Sequence, residues 1–311
     1  MTRFEPVPSD LYGQRFDVAV SRMLGLSRSQ AAGLIGGGRA VVHGRALAKS
    51  GHLEPGDIVE FSLEESVPES QEASARPVST KMSIAYEDDD VVVVDKPAGV
   101  AAHQAAGWQG PTVLDTLLSR GIHITSEGGE GRQGIVSRLD VGTSGLMLVC
   151  KSDFAYPRMR DQFAAHEVIK TYHALVQGNL SADHATIEAP IGRSRISDFR
   201  FTVTQGGKRA VTHYDVLKRF GEATLVRVNL ETGRTHQIRV HFSSIGHPLV
   251  GDPMYGGNPV LARALRLRRQ WLHSMKLEFR HPRTGVWTAV ESKYCDDLRC
   301  ALDVMEDRRR H

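Results

Sequence analysis

The chain is poor in cysteine: Cys150, Cys295 and Cys300 are the only three in 311 residues, and no two form a CxxC pair. So sparse and odd a count argues against a disulfide framework and fits a reducing cytoplasm. Long hydrophobic runs are also missing. No segment approaches the ~18 uninterrupted apolar residues of a membrane helix, so no membrane partner is expected. The opening residues, MTRFEPVPSD, lack the apolar stretch of a secretory leader. Excess charge of one sign is scarce too: the formal balance is only +3, which by itself says little about partners. The glycines Gly36, Gly37 and Gly38 are not followed by the GK[ST] of a phosphate-binding loop. Of the 14 histidines, His236, His241 and His247 lie close together, but their spacing fits no standard zinc site. HEVIK at 166–170 lacks the second histidine of a metalloprotease helix. No metal is expected.

What is present describes a folded, two-part chain. Apolar residues make up 41% and charged residues 24%, which implies a packed core. The length leaves room for two domains. Residues 62–80, SLEESVPESQEASARPVST, are rich in Ser, Glu, Pro and Ala and read as a flexible linker. The expected layout is an N-terminal tail (1–14), a small module (15–61), the linker (62–80), a large module (81–303) and a basic C-terminal tail (304–311). Basic residues cluster between Arg193 and Arg219, at Arg263, Arg266, Arg268 and Arg269, and at Arg308–Arg310. Any one cluster is more often a solvated surface than a phosphate footprint.

In the small module, Phe16, Val18, Ala19, Met23 and Leu24 suggest a short amphipathic helix. Ser27 has the chemistry of an N-cap for a second helix, Arg28 to Ile35, which the glycine run ends. Ala40–His43 and Asp57–Phe61 are expected strands. This order, with the run LSRSQAAGLIGGGRAVVHG, resembles the S4 RNA-binding domain, a small α/β fold. The resemblance implies that Arg28 and Arg39 face RNA, with Arg22 as a further candidate.

The large module is rich in strand signals: Ile84–Tyr86, Val91–Asp95, Leu146–Cys150, Tyr172–Gln177, Val211–Leu217 and Leu225–Leu230. Thr112–Ser119 and Phe154–Phe163 are expected helices. Strands with interspersed helices predict an α+β domain on a mixed, largely antiparallel sheet. Thr235–Gly246 carries Ile238, Phe242 and Ile245 at helical spacing, which predicts one buried face with Thr235 as cap and Gly246 as terminator. Arg239, beside Ile238, can emerge at the edge of that face and hold a carboxylate in a two-pronged pair.

The most specific run is RLDVGTSGL, Arg138–Leu146. It sets an Asp on a loop just ahead of an apolar strand, a place where a side chain is held rigidly at the rim of a core. It resembles the HRLDxxTSG signature of the RluA family of RNA pseudouridine synthases, with Ser137 in place of the usual His. Four more segments resemble that family in the same order: Val91–Val100, Lys170–Gly178, Glu231–Gly257 and Trp271–Pro282. The resemblance implies a pseudouridine synthase fold with a central active-site cleft. It also implies Asp140 as the catalytic residue, Tyr172 against the base and Arg239 paired with Asp140. Arg138 would fill the space the flipped base vacates or bind the neighbouring phosphate, and Lys96 and Lys170 are candidate RNA contacts.

The isomerisation breaks the N1–C1′ bond, turns the base and joins C5 to C1′. It needs no redox step or group donor, so no cofactor is expected. The carboxylate could attack C1′, as in retaining glycosidases, or remove the C2′ proton. The target base must leave its stack, at about a few kcal/mol. On the residues alone an Asp–Arg pair is more often structural than catalytic, and Tyr172 and Lys96 have equally plain readings as a strand residue and a turn lysine. An S4 module before such a domain resembles the RluC and RluD types, which implies 23S ribosomal RNA as the partner and a monomeric enzyme. The alternatives are a non-catalytic RNA-binding or ribosome-assembly factor, a synthase acting on transfer RNA, or a nucleoside glycosidase.

Overall fold

The computed structural model describes residues 2–26, 28–62, 77–105, 107–129, 131–194 and 200–310. The chain divides into two compact units, Met1–Ala75 and Arg76–His311. The smaller contains β1 (Thr2–Pro6), α1 (Phe16–Leu24), α2 (Arg28–Gly36), β2 (Ala40–Val42) and β3 (Ile58–Ser62). Phe16, Ala19 and Val20 on α1 and Ala31 and Ile35 on α2 are buried, the three- and four-residue spacings of one helix face. They close over Val59 and Phe61 of β3, in one core with Leu53.

The N-terminal segment read as a tail is instead part of this unit. β1 pairs antiparallel with β3 from Thr2↔Ser62 to Pro6↔Ile58, and Val7 and Leu11 enter the core. The strand escapes sequence reading because its contribution is backbone hydrogen bonding; Phe4 is left exposed. Ser27 lies outside the described residues, as do residues 63–76 of the expected linker. Beyond them Ser79 is already buried, and its N–H donates to Thr116 Oγ1 at 3.0 Å. Contacts of the larger unit therefore begin before Lys81.

The larger unit runs β4 (Ser83–Glu87), β5 (Val91–Lys96), α3 (Val113–Ser119), β6 (Ser144–Cys150), α4 (Ala155–Ala164), β7 (Ile169–Gln177), β8 (His184–Glu188), β9 (Ile191–Arg193), β10 (Phe201–Val203), β11 (Val211–Arg219), β12 (Ala223–Leu230), α5 (Gln237–Ser244), α6 (Pro259–Ala264), β13 (Leu272–Arg280), β14 (Trp287–Glu291) and α7 (Asp296–Arg310). Nine strands form one mixed sheet in the order β4-β5-β6-β13-β7-β12-β11-β8, with β14 also on β13; β9 and β10 pair separately. Every pairing is antiparallel except β6 with β13.

β5 and β6 are buried on both faces, which explains their unbroken apolar sequences. Val92, Val94, Met147 and Val149 pack with Val113 and Leu117 of α3. Their alternates Val91, Val93, Leu148 and Cys150 pack with Ala155 and Met159 of α4. No described helix is long and apolar enough to cross a membrane.

Two boundaries depart from expectation. The presumed basic tail from 304 continues α7 to Arg310. Leu298, Ala301 and Met305 form its buried face against Trp271, and fully burying a side chain such as Met305 contributes about 1.5–3 kcal/mol. Helix α5 is capped at His236, not Thr235: His236 takes φ +58° and offers no side-chain cap. Gln237 supplies the tie, its Oε1 accepting from Arg234 N–H at 3.0 Å and its Nε2 donating to Val211 O at 2.9 Å. Ile238 and Phe242 are buried as the spacing predicts, but Ile245 is exposed because the helix has ended.

The parallel contact between β6 and β13 fixes the role of Gly145. It sits opposite Ser274 with φ +107°, and a Cβ there would stand 2.2 Å from Ser274 O and 2.6 Å from its N. Gly145→Ala is expected to cost about 1–3 kcal/mol from overpacking and about as much from backbone strain. A urea midpoint shift for the large-unit transition checks this; an unchanged midpoint would show that β6 and β13 are not so closely apposed.

Candidate active site

Asp140 stands four residues before β6 on a turn closed by Thr143 N–H donating to Asp140 O at 3.0 Å. Several groups hold this turn. Gly99 N–H donates to Val141 O at 2.8 Å. Arg269 Nη1 donates to Gly142 O at 3.1 Å, and Gln270 Nε2 reaches Thr143 Oγ1 at 3.3 Å. Ser144 Oγ meets His273 Nδ1 at 2.9 Å, and Leu139 packs into the core. The motif residues around Asp140 thus serve largely to immobilise it. Its side chain remains 23% exposed, within reach of a substrate.

Arg239, on α5, donates from Nη1 to Asp140 Oδ2 at 3.1 Å. The two-pronged pair expected for this arginine goes to a different partner. Its Nε and Nη2 donate to the two oxygens of Asp252 at 2.7 and 3.0 Å. Asp252 is wholly buried and also accepts from the N–H groups of Met254 and Tyr255. These carboxylates hold the Arg239 guanidinium above its ordinary pKa despite burial, so it is a permanent cation between two acids.

Tyr255 adds a second tie. Its ring lies 4.9 Å from the Arg239 guanidinium, and its hydroxyl accepts from Phe201 N–H at 3.1 Å and meets His236 Nδ1 at 2.7 Å. The other nitrogen of His236 lies 3.9 Å from Asp140 Oδ1. Burial lowers the His236 pKa against the pull of Asp140, so the neutral ring is favoured beside the Asp140–Arg239 pair.

Tyr172, on β7, is buried, and its phenol is pushed up first by burial and then by the charge of Asp140. It therefore stays protonated and presents an aromatic surface rather than a phenolate. Lys96, at the end of β5, is fully buried; its ammonium donates to Val100 O at 2.8 Å and Pro97 O at 3.2 Å. Burial pulls its pKa down to about 7, with Asp140 acting in the opposite direction. Lys96 is thus a brace beneath the Asp140 loop, not an exposed RNA contact.

The remaining sequence candidates are Arg138 and Lys170 in the larger unit and Arg28 and Arg39 in the smaller. Arg138 is exposed, and its charge acts on His236. Lys170 is partly buried, with its pKa lowered by burial, and its ammonium lies 5.8 Å from the Phe163 ring centroid. Arg39 is exposed on the turn after α2. The side chain of Arg28 lies outside the described residues. Of the grouped histidines, His241 bonds Thr212 Oγ1 and Ala189 O, and His247 bonds Gln177 O.

Sequence reasoning did not single out Asp252, Tyr255 or His236 as members of the site. The only available signal was their position in Glu231–Gly257, the segment that also contains Arg239.

Comparison with known proteins identifies relatives of the whole chain. Residues 90–244 match the family described as RNA pseudouridylate synthase. An uncharacterized RNA pseudouridine synthase of Mycobacterium bovis is 47% identical over 97% of this chain and 98% of its own. Ribosomal large subunit pseudouridine synthase D of Pseudomonas aeruginosa is 41% identical over 99% of this chain and 97% of its own. Among solved structures, human RNA pseudouridylate synthase domain containing 1 superposes with a TM-score of 0.57 at 27% identity, covering 76% of this chain and 96% of the human one.

Proposed function

From the membership of this chain in the RNA pseudouridylate synthase family, of the RluA type, which makes it an isomerase acting on RNA, we propose that its target is uridine in 23S ribosomal RNA. Asp140 carries the chemistry. The observation that carries this reading is a carboxylate held on a braced loop, tied through one oxygen to Arg239 and still open to substrate. The ribosomal target rests on relatives named as ribosomal large subunit synthases.

In this reading the target uridine is flipped into a cleft at the strand ends, at a cost of about a few kcal/mol. Asp140 acts on its ribose, as a nucleophile at C1′ or as a base at C2′. Arg239 aims the carboxylate through its Nη1 hydrogen bond. Tyr172 stacks on the base, and its protonated hydroxyl suits that role better than proton abstraction. Arg138, exposed two residues before Asp140, fills the space the flipped base leaves or binds the neighbouring phosphate. The smaller unit, two helices against a three-stranded sheet, serves as an S4-type RNA-binding module with Arg28 and Arg39 among its contacts.

The test is a map of pseudouridine in ribosomal and transfer RNA from cells with and without the gene. Loss of one or more sites in 23S RNA, restored by the wild-type gene, is expected. Loss confined to transfer RNA would replace the ribosomal target, and an unchanged map would remove both.

A further inference from the structure

The four arginines at 263–269 are one cluster in sequence but two kinds of residue in the fold. Arg269 is internal. It is buried, its Nε and Nη2 donate to Asp297 at 2.7 and 3.0 Å, and its Nη1 holds Gly142 O in the Asp140 loop. Arg263, Arg266 and Arg268 are exposed and line a single concavity of about 640 Å³ together with Gly251, Asp252 and Pro253. None of the three guanidiniums hydrogen-bonds or ion-pairs with another described residue.

Arginines unpaired among the described residues, such as Arg132 and Arg138, occur elsewhere on the surface, but these three share one concavity. Arg160, Arg209 and Arg227 each have a carboxylate partner. The one acid lining the concavity, Asp252, is committed to Arg239 and to two backbone N–H groups. Three like charges therefore face a shared space with no neutralising group. Arg266 is moreover held at φ +54°, a left-handed conformation that glycine would adopt without strain.

A space of this size is in the range that takes a small ligand or a short segment of a larger one. Unpaired guanidinium forks match phosphate oxygens better than any other common anion geometry except a carboxylate. Asp252 also links the concavity to the site, because the same residue holds Arg239 against Asp140. We propose that Arg263, Arg266 and Arg268 form a binding site for consecutive backbone phosphates of the RNA strand that carries the target uridine. The identity of that strand as substrate rests on the function proposed above; the phosphate chemistry rests on the concavity itself.

The test uses the full chain with three exposed charges removed, Arg263→Gln, Arg266→Asn and Arg268→Gln, the Asn chosen because it tolerates a left-handed backbone. A control removes equal charge from paired positions: Arg160→Gln, Arg209→Gln and Arg227→Gln. Binding of a labelled single-stranded 12-nucleotide RNA is measured from 50 to 200 mM salt, with tripolyphosphate as a separate ligand. Each lost phosphate contact on a single strand flattens the log–log salt slope by about 0.7, so three flatten it by about 2. The site variant is then expected to bind at least about 20-fold more weakly than wild type at 50 mM salt, with the gap shrinking by about that factor at 200 mM. The control and a triple Arg→Lys variant should retain most of the affinity.

Equal loss in the control would reduce the effect to net charge and overturn the site. Unchanged RNA binding with lost tripolyphosphate binding would assign the concavity to a small polyanion instead. Unchanged binding of both would remove it altogether. Pseudouridine formation in transcribed 23S RNA is followed in parallel: the site variant should raise KM and leave kcat in place. A wild-type protein that makes no pseudouridine would sink the proposed function while the binding series still decides the phosphate site.

Discussion

Asp140→Asn is expected to fold, to bind RNA as the wild type does, and to form no pseudouridine. Asparagine keeps the shape, and its carbonyl oxygen can still accept from Arg239 Nη1, the bond that now measures 3.1 Å. The turn that carries it is held by backbone and neighbouring groups that the substitution leaves alone. What is lost is the negative charge and the nucleophilic or basic oxygen. Removing a residue that acts directly on the reacting atoms costs roughly 10⁴-fold or more in kcat. The check is single-turnover formation of pseudouridine, alongside RNA affinity and the unfolding midpoint. Product at wild-type rate would sink the assignment of Asp140, while loss of folding would make this residue structural instead.

Arg239→Ala is expected to lose both activity and stability. The guanidinium joins an open carboxylate, Asp140, to a buried one, Asp252, whose side chain is 0% exposed. Without it, Asp252 keeps, among the described residues, the N–H groups of Met254 and Tyr255 as donors. Breaking a buried pair by removing one partner costs about 3–5 kcal/mol, because the remaining charge is stranded. Denaturant unfolding reads that loss directly. Arg239→Lys separates the two roles. A lysine retains charge but not the fork, so it should recover part of the stability while leaving Asp140 poorly aimed and kcat low. A fully stable, fully active Arg239→Ala variant would show that neither ion pair matters.

Much of the fold was legible because local signals and tertiary packing agree. The unbroken apolar runs at Val91–Val94 and Leu146–Cys150 mark strands buried on both faces. Thr112, whose side chain accepts from Asp115 N–H, caps the expected helix α3. The elements that escaped lack such signals. β1 contributes mainly its backbone to β3, so no alternation announces it. α7 carries charge along most of its length, and only the spacing of Leu298, Ala301 and Met305 betrays its buried face. The capping of α5 depends on Gln237 reaching Val211, a contact invisible from neighbours in sequence.

The sequence by itself determined the two-part layout, the mixed α+β character and, through the run Arg138–Leu146, which carboxylate to place at the centre. It could do so because apolar periodicity and a motif of fixed spacing are local properties. Tertiary structure alone decided which charges meet. It turned the fork of Arg239 toward Asp252, 13 residues away, and left Asp140 a single bond from residue 239. It set Lys96 inside the protein as a brace, and it divided the arginines of 263–269 into one internal tie and three open cations. Long charged side chains have little intrinsic preference for a partner. Their pairing is fixed by where the sheet and its loops bring them, since a buried charge must find an opposite charge or donors within a few ångströms to be tolerated at all.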